Sequence, residues 1–472
     1  MRLKLFLILG LLMGWMNSQA VTIKEVRTTR WGQLGELIDE SFYSADSLIV
    51  RGPIDDKDMT ILKSLTQKGK LTGLNMKNSD IVATQGYWFT NDPDAPDSLQ
   101  VKLKYIYLPD NCDNIDDFAF TNVKSLIGIF KDHTYHSYPY IYFSIGCLKG
   151  TSIKTIDFEY TQLVFLPYSL QDAVELETIK GIGPDTYVNE GAFYNTPKLR
   201  GSLTLDIDTW LSDRFLSHSS WDEIMLPAVE STDGEAWFEF AKAKRIVIKS
   251  DGIKTISPRA FFGCQNLKSL TLPGSIDSLK SNCLNQTGLE VLTLPEGLKY
   301  IESNAMGWNI FLREVVFPST LECIGYDNGQ YWRALEKIYV RALTPPECIR
   351  KEGVNGLFYA FTGANEYATL YVPKGTLEAY RAAPGWNYFS KIEEFDFSDV
   401  EQVKALPTNR PVVSTGKGFI YLESPHPTPF TVFDMDGHTI QSGTVDGTLE
   451  VTLPAGIYLI NFGEDTQKVL VK

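Results

Sequence analysis

The chain has 472 residues, a formal net charge of −14, 43% hydrophobic and 12% aromatic residues, and only five histidines. Such a length allows two or three domains or one long repeat array. The acidic balance, without any Lys/Arg run, excludes a general nucleic-acid binder because nothing offsets phosphate repulsion.

The predicted elements begin with a targeting segment. Arg2 and Lys4 precede an apolar run from Leu5 to Met13, and Ser18-Gln19-Ala20 has the small-x-small form of a cleavage site. The run is too short to span a bilayer, and no later run reaches membrane length. No Cys lies near the cleavage site, so a lipoprotein is not expected. Cleavage after Ala20 is expected, with an exported chain at the cell surface (outer-membrane association included) or outside the cell, and no transmembrane segment in the mature protein.

An N-terminal cap is expected over 21–70. GQLGELIDE (32–40) reads as helix and SLIVRG (47–52) as strand. DDKDMTILKSLTQ (55–67) reads as a second helix, opening with the Asp residues that suit a helix N-terminus. LTGLNM (71–76) is the first expected rung of a repeat, and NDPDAPDS (91–98) interrupts the next as an acidic, Pro-containing loop.

The repeat is clearest in SLTLP (269–273), VLTLP (291–295) and VVFPS (315–319). Their second anchors are Leu272, Leu294 and Phe317. The beat runs forward to Val340 and back through Ile248, Leu226, Leu205, Gly181 and Phe158 in steps of 21 to 24 residues. A period in the low twenties is that of leucine-rich repeats. One alternating strand cannot bury its apolar side alone, so equivalent strands stack into a parallel sheet with a continuous core. In the unit 253–272, Ala260 and Phe261 are expected to point inward from a short helical turn. The interval from Phe130 to Phe158 exceeds the period, and its surplus holds HTYHSYPYIYF (133–143). Alternation there directs Ile141 and Phe143 one way and Tyr140 and Tyr142 the other.

Ile253, Ile256, Ala260, Phe261, Cys264, Leu267, Leu270, Leu272 and Pro273 match I-x-x-I-x-x-x-A-F-x-x-C-x-x-L-x-x-L-x-L-P. This pattern resembles the BspA-type leucine-rich repeat of surface and secreted bacterial proteins, here of the Bacteroidetes kind. LEKIYVRALTPP (335–346) and LYVPKGTLEAYRAAPGWNYFSKI (370–392) resemble the family's closing segment. The resemblance implies a solenoid with its closing segment over 71–395, a parallel β-sheet with short helical or irregular returns. It also implies a core role for the repeat Cys, which agrees with the cysteine spacing. The six cysteines (112, 147, 264, 283, 323 and 348) lie far apart, without CxxC or a zinc-like Cys/His cluster, and read as buried free thiols.

A linker is expected over 396–418 and a small β-sandwich over 419–472, from the short alternating strands FIYLE, FTVFD, HTIQSG, LEVTLP, GIYLINF and KVLVK. This end resembles C-terminal domains of exported Bacteroidetes proteins, some of which serve as sorting signals for type IX secretion. Within it, TVFDMDGHTI (431–440) imitates the D-x-D-G-T of haloacid dehalogenase phosphatases through Asp434 and Asp436. Only 36 residues follow Asp436, too few for that α/β domain, and His438 displaces the Thr. Asp436-Gly437 is instead expected to be a hairpin turn.

His133 and His136 could ligate a metal at i, i+3, but no acidic or Cys partner accompanies them. No cofactor, metal or catalytic set is expected. The outward positions of the sheet (Ser269, Thr271, Val291, Thr293, Glu314, Val316, Lys337 and Tyr339) are mixed and mostly small. The reading is an exported, non-enzymatic interaction protein that binds a host or microbial surface protein or glycan, for adhesion or recognition, through the solenoid surface. Its candidate contact residues are Tyr135, Tyr138, Tyr140, Tyr142 and Tyr339. The alternatives are a scaffold subunit of a surface complex, or an enzyme acting on host glycans or peptides with its site in an insertion.

Overall fold

A computed structural model of the chain describes residues 21–82, 86–131, 140–158, 162–183, 185–205, 209–232, 234–250, 252–353, 356–397, 412–415, 419–435, 437–454, 456–463 and 465–471. The expected export segment, Tyr135, Tyr138, His133, His136 and Asp436 lie outside these residues. The chain forms two compact units. One runs to Leu370 and includes Glu378–Ile392, and the other comprises Tyr371–Leu377 and Glu393–Lys472.

The first unit is a parallel β-solenoid. Seven strands from Ile23–Arg27 to Thr178–Lys180 pair side by side in one parallel sheet. A second run continues through Ser202–Thr204, Glu223–Leu226, Arg245–Ile248 and Ser269–Thr271, and a third through Val291–Thr293, Glu314–Phe317 and Lys337–Val340. The register reproduces the sequence period: Ser202 pairs Glu223, Glu223 pairs Arg245, Arg245 pairs Ser269, Val291 pairs Glu314 and Glu314 pairs Lys337. The inward anchors Phe158, Leu205, Leu226, Ile248, Leu294, Phe317 and Val340 are buried. Each such side chain contributes about 1.5–3 kcal/mol.

The ladder starts two strands earlier than the expected first rung, because Ile23–Arg27 and Ser47–Ile54 already pair in parallel and the latter pairs Gly73–Ile81. Between these strands Asp55 caps the helix Asp56–Lys68, accepting from the backbone N–H of Lys57 and Asp58 while Asp58 reaches back to the N–H of Asp55. The first expected helix shrinks to Leu34–Leu37 followed by a 3-10 turn Glu40–Ser44, with Ile38 already extended. Gly35 within so short a stretch lowers its helicity further.

A second parallel ladder occupies another side of the solenoid. It includes Asn114–Ile115, Tyr140–Phe143, Gln162–Phe165 and Tyr187–Val188, then Thr255–Ile256, Ser278–Leu279, Tyr300–Ile301, Cys323–Ile324 and Glu347–Cys348.

The return between ladders is not the helical turn expected from Ala260 and Phe261, although both are fully buried. It is a third ladder made of tight turns. In one repeat the N–H groups of Arg259, Phe261 and Gly263 donate to the carbonyls of Ser281, Cys283 and Asn285 in the next. The intervening N–H groups of Ala260, Phe262 and Cys264 close turns within their own repeat. This alternation places two left-handed residues four apart in each turn from Phe118 to Tyr331. They are Phe118 and Asn122, Tyr168 and Asp172, Arg214 and His218, Ala236 and Phe240, Asn282 and Gln286, Asn304 and Trp308, and Asp327 and Tyr331, with Gly at Gly146, Gly150, Gly191 and Gly263. A left-handed non-glycine residue costs about 1–2 kcal/mol, and the bonds between repeats offset it.

The last turn is enlarged. Asp327 N–H reaches Tyr359 O and Gly329 N–H reaches Ala360 O, about ten residues beyond the usual partner. The surplus forms an antiparallel hairpin, Lys351–Gly353 against Gly356–Phe358. Tyr380, Trp386 and Phe389 then bury themselves against the final repeats: Tyr380 Oη donates to Ala342 O and Trp386 Nε1 to Pro346 O.

The second unit contains one five-stranded antiparallel sheet. FIYLE and FTVFD prove to be two ends of a single strand, Phe419–Phe433, and HTIQSG and LEVTLP two ends of Thr439–Thr452. A register shift between Ser424 and Thr428 interrupts their pairing. Val412–Thr415, expected to be linker, is a strand paired with Phe419–Phe433. Ile420, Leu422, Phe430, Val432, Val451 and Ile460 share one apolar core.

Candidate interaction surface

The strand Tyr140–Phe143 alternates as the sequence required. Ile141 and Phe143 are fully buried, and Phe143 stacks on Phe165 with ring centroids 4.7 Å apart. Tyr140 is half-buried and Tyr142 is 42% exposed, with ring centroids 6.4 Å apart on the outer side. The structure therefore brings these two candidates together on one strand face. Tyr339 is not with them. It sits in a different ladder and retains only 9% of its surface.

That is a correction to the candidate set. Alternation gave the direction of Tyr339 but not its exposure. Its ladder neighbours on the same side, Val316 and Glu314 in the adjacent strand, are also covered. Burial raises the Glu314 carboxyl pKa above its usual value.

The haloacid-dehalogenase-like motif is a turn at its described residues. Asp434 N–H donates to His438 O, Gly437 N–H donates to Asp434 O, and Gly437 has φ of +86°. The Asp434 carboxylate accepts from the His438 backbone N–H at 2.9 Å and meets His438 Nδ1 at 3.2 Å. It holds a hairpin closed, which leaves it badly placed as a nucleophile.

All six cysteines are free, and Cys112, Cys147, Cys264 and Cys283 are buried. Burial pushes the Cys112 thiol up to about 12 and the other three well above the usual range. Cys323 and Cys348 occupy adjacent strands out of register, since Cys323 pairs Glu347 and Ile324 pairs Cys348. Successive side chains of a strand point to opposite faces, so these two thiols do not face each other. The sequon Asn285-Gln286-Thr287 is closed to modification, because Asn285 and Thr287 are each 2% exposed.

A surface the sequence reading missed lies on the turn ladder. Trp308, Ile310 and Phe311 are 41%, 49% and 50% exposed within four residues. Trp308 stacks on Tyr331 of the next turn at 3.9 Å, and the Arg333 guanidinium lies 5.1 Å from the Tyr331 ring. Lys268 lies 5.6 Å from the Phe311 ring and pairs with Glu290. No carboxylate pairs with Arg333 among the described residues.

Backbone geometry fixes this stack. Trp308 and Tyr331 hold the same left-handed position in successive turns, with φ of +59° and +65°. Beneath them Asn309 is buried. Its Oδ1 accepts from Thr287 N–H and Oγ1, both at 2.8 Å, and its Nδ2 donates to Leu284 O and Met306 O. The signal was in the sequence: Ile310 and Phe311 stand where the clearest repeat carries the exposed Gln265 and Asn266. Only the turn register reveals that correspondence.

Six copies of the family described as "BspA type Leucine rich repeat region" match residues 99–220 and 231–343. The chain is a BspA-type leucine-rich repeat protein. A comparison with curated protein sequences finds no match. Among solved structures, the pneumococcal vaccine antigen PcpA is similar at 11% identity and a TM-score of 0.36, over 75% of this chain and 80% of that one. A leucine-rich cell surface protein of Faecalibacterium prausnitzii A2-165 is similar at 10% identity and 0.28, over 68% and 80%. A leucine-rich repeat protein of Bacteroides ovatus ATCC 8483 is similar at 17% identity and 0.29, over 57% and 86%. The BspA-type repeats account for the period, and the second matched stretch spans the turns that carry the Trp308–Tyr331 stack. Among the described residues no helix is long and apolar enough to cross a membrane.

Proposed function

We propose that this BspA-type protein is a surface-displayed, non-enzymatic recognition protein that adheres to a host or microbial surface protein through its turn ladder. The observation that carries this reading is the Arg333–Tyr331–Trp308 stack with Ile310 and Phe311 exposed beside it. Large apolar groups seldom cluster in the open without a partner. Trp, Tyr and Arg are also the residue types that dominate protein contacts. Arg333 adds a cation that no carboxylate among the described residues pairs, on a chain of net charge −14, which favours a partner offering a carboxylate beside an apolar patch. Tyr140 and Tyr142 supply a second, smaller contact face, where an amphipathic ring gives area at low entropic cost.

Export through residues 1–20 belongs to the same reading, as does the role of the C-terminal sheet as a surface module or sorting element. The test is capture of surface proteins by the purified chain, its Trp308→Ala and Arg333→Ala variants and a Tyr142→Ala variant. One partner is expected whose capture falls at least tenfold in the first two while both stay folded, with no more than a small fall in melting temperature. Equal capture by all four proteins refutes it.

A further inference from the structure

A cleft of about 470 Å³ opens where the turn ladder meets the inserted hairpin. Ser303, Asn304, Tyr326, Asp327, Gln330 and Lys351 are among its walls. Its volume falls within the range of small-molecule sites, about 300–1,000 Å³, yet the Tyr326 ring is its main apolar surface.

The hairpin creates the site. Asn282, Asn304 and Asp327 hold one left-handed column, with φ of +58°, +58° and +60°. Lower in the column the side chains bond one another: Asn304 Nδ2 donates to Asn282 Oδ1 at 2.7 Å, and Asn285 Nδ2 donates to Asn304 Oδ1 at 3.1 Å. The next turn is displaced by the insertion, so this ladder stops at Asp327, whose carboxylate no described residue partners. Lys351 rises from the hairpin and places Nζ 4.9 Å from the Tyr326 ring. The Gln330 amide likewise has no described side-chain partner.

The charges cancel. Glu302, also in the wall, pairs with Lys280 at 2.8 Å and accepts from Ser281 N–H, while Asp327 and Lys351 oppose one another. A balanced cleft does not select a phosphate, a sulfate or a cation, and a mostly polar one does not select a hydrophobic side chain. A carboxylate and an amide without a described partner, together with hydroxyls and an ammonium around one aromatic ring, suit a ligand rich in hydroxyl groups.

We propose that this cleft binds a neutral sugar residue of a glycan, with Asp327 and Gln330 bonding adjacent hydroxyls and Tyr326 contacting the sugar's C–H face. The site is distinct from the aromatic stack and does not depend on a protein partner there. The test is the purified full chain on an array carrying neutral, sialylated and sulfated oligosaccharides, with Asp327→Asn and Gln330→Ala variants. Asp327→Asn keeps a residue type that tolerates the left-handed turn, and both variants are checked for unchanged melting. Neutral glycans are expected to bind, about tenfold more weakly to Asp327→Asn as a charge-assisted bond becomes a neutral one, and more weakly also to Gln330→Ala. Binding confined to anionic glycans, no glycan bound, or neutral-glycan affinity equal to the parent's in both variants overturns the proposal.

Discussion

Two adjacent residues should fail in opposite ways when cut to alanine. Asn309 is 1% exposed, and its side chain makes four hydrogen bonds, three of which tie its turn to the one before. Asn309→Ala leaves the Thr287 N–H, the Thr287 hydroxyl and the Leu284 carbonyl without their side-chain partner, whereas Met306 O still accepts from Trp332 Nε1 at 2.9 Å. An unsatisfied buried polar group costs about 1–3 kcal/mol, so three of them predict a loss of at least about 3 kcal/mol. Trp308 is 41% exposed and its chief neighbour is the Tyr331 ring. An aromatic pair contributes about 0.5–1.5 kcal/mol, so Trp308→Ala should cost about 1 kcal/mol and act mainly on binding. Because repeat arrays unfold piecewise, the assay is hydrogen exchange across 282–309 alongside urea unfolding. Deprotection of Thr287 in Asn309→Ala is expected. A stability within about 0.5 kcal/mol of the parent, the range of ordinary surface changes, with Thr287 still protected, would refute the turn-ladder reasoning.

Further outcomes follow from the same structure. Gly437→Val should destabilise the C-terminal sheet through backbone torsion alone, since nothing lies within 4 Å of the added Cβ, while Asp434→Asn should abolish no phosphatase activity; a phosphatase rate lost in that variant would overturn the turn assignment. Ile141→Ala and Phe143→Ala should each cost about 2–5 kcal/mol and Tyr142→Ala under about 1 kcal/mol, read by urea unfolding. Cys112 titrates near 12 instead of 9.0, so its contribution to stability is complete below pH 9 and is lost as pH rises toward 12; a thiol reagent at pH 8 should label it only after unfolding. Burial, with the neighbouring carboxylates Asp117, Asp56 and Asp113, raises Asp116 to about 6, so its contribution is complete below pH 3.8 and is lost as pH rises through 6. Asp116→Asn should flatten the stability profile over that window, and an unchanged profile would count against the shift.

The parallel ladders were legible in the sequence because a strand period of two inside a repeat of 21–24 residues leaves one register that buries Leu205, Leu226, Ile248, Leu294 and Phe317 together. The return was not, because A-F-x-x-C marks which residues point inward and is silent on backbone handedness. Phe118, Arg259, Trp308 and Tyr331 adopt positive φ against their own preference, imposed by bonds to neighbouring repeats. The residues of the proposed contact surface were missed for the same reason. HTYHSYPYIYF is dense in aromatics in one dimension, whereas Trp308, Tyr331 and Arg333 meet only across two turns. Tyr339 shows the converse, an outward position that the fold nonetheless covers.

Recognition at the aromatic stack is tested with a photo-crosslinking side chain at position 311 and, separately, at exposed position 457 of the C-terminal sheet, on a chain displayed to host or microbial surface proteins. A discrete crosslinked partner is expected from position 311, lost when Trp308→Ala is added, and none from position 457. A partner captured from 457 alone, or one from 311 that survives Trp308→Ala undiminished, contradicts it.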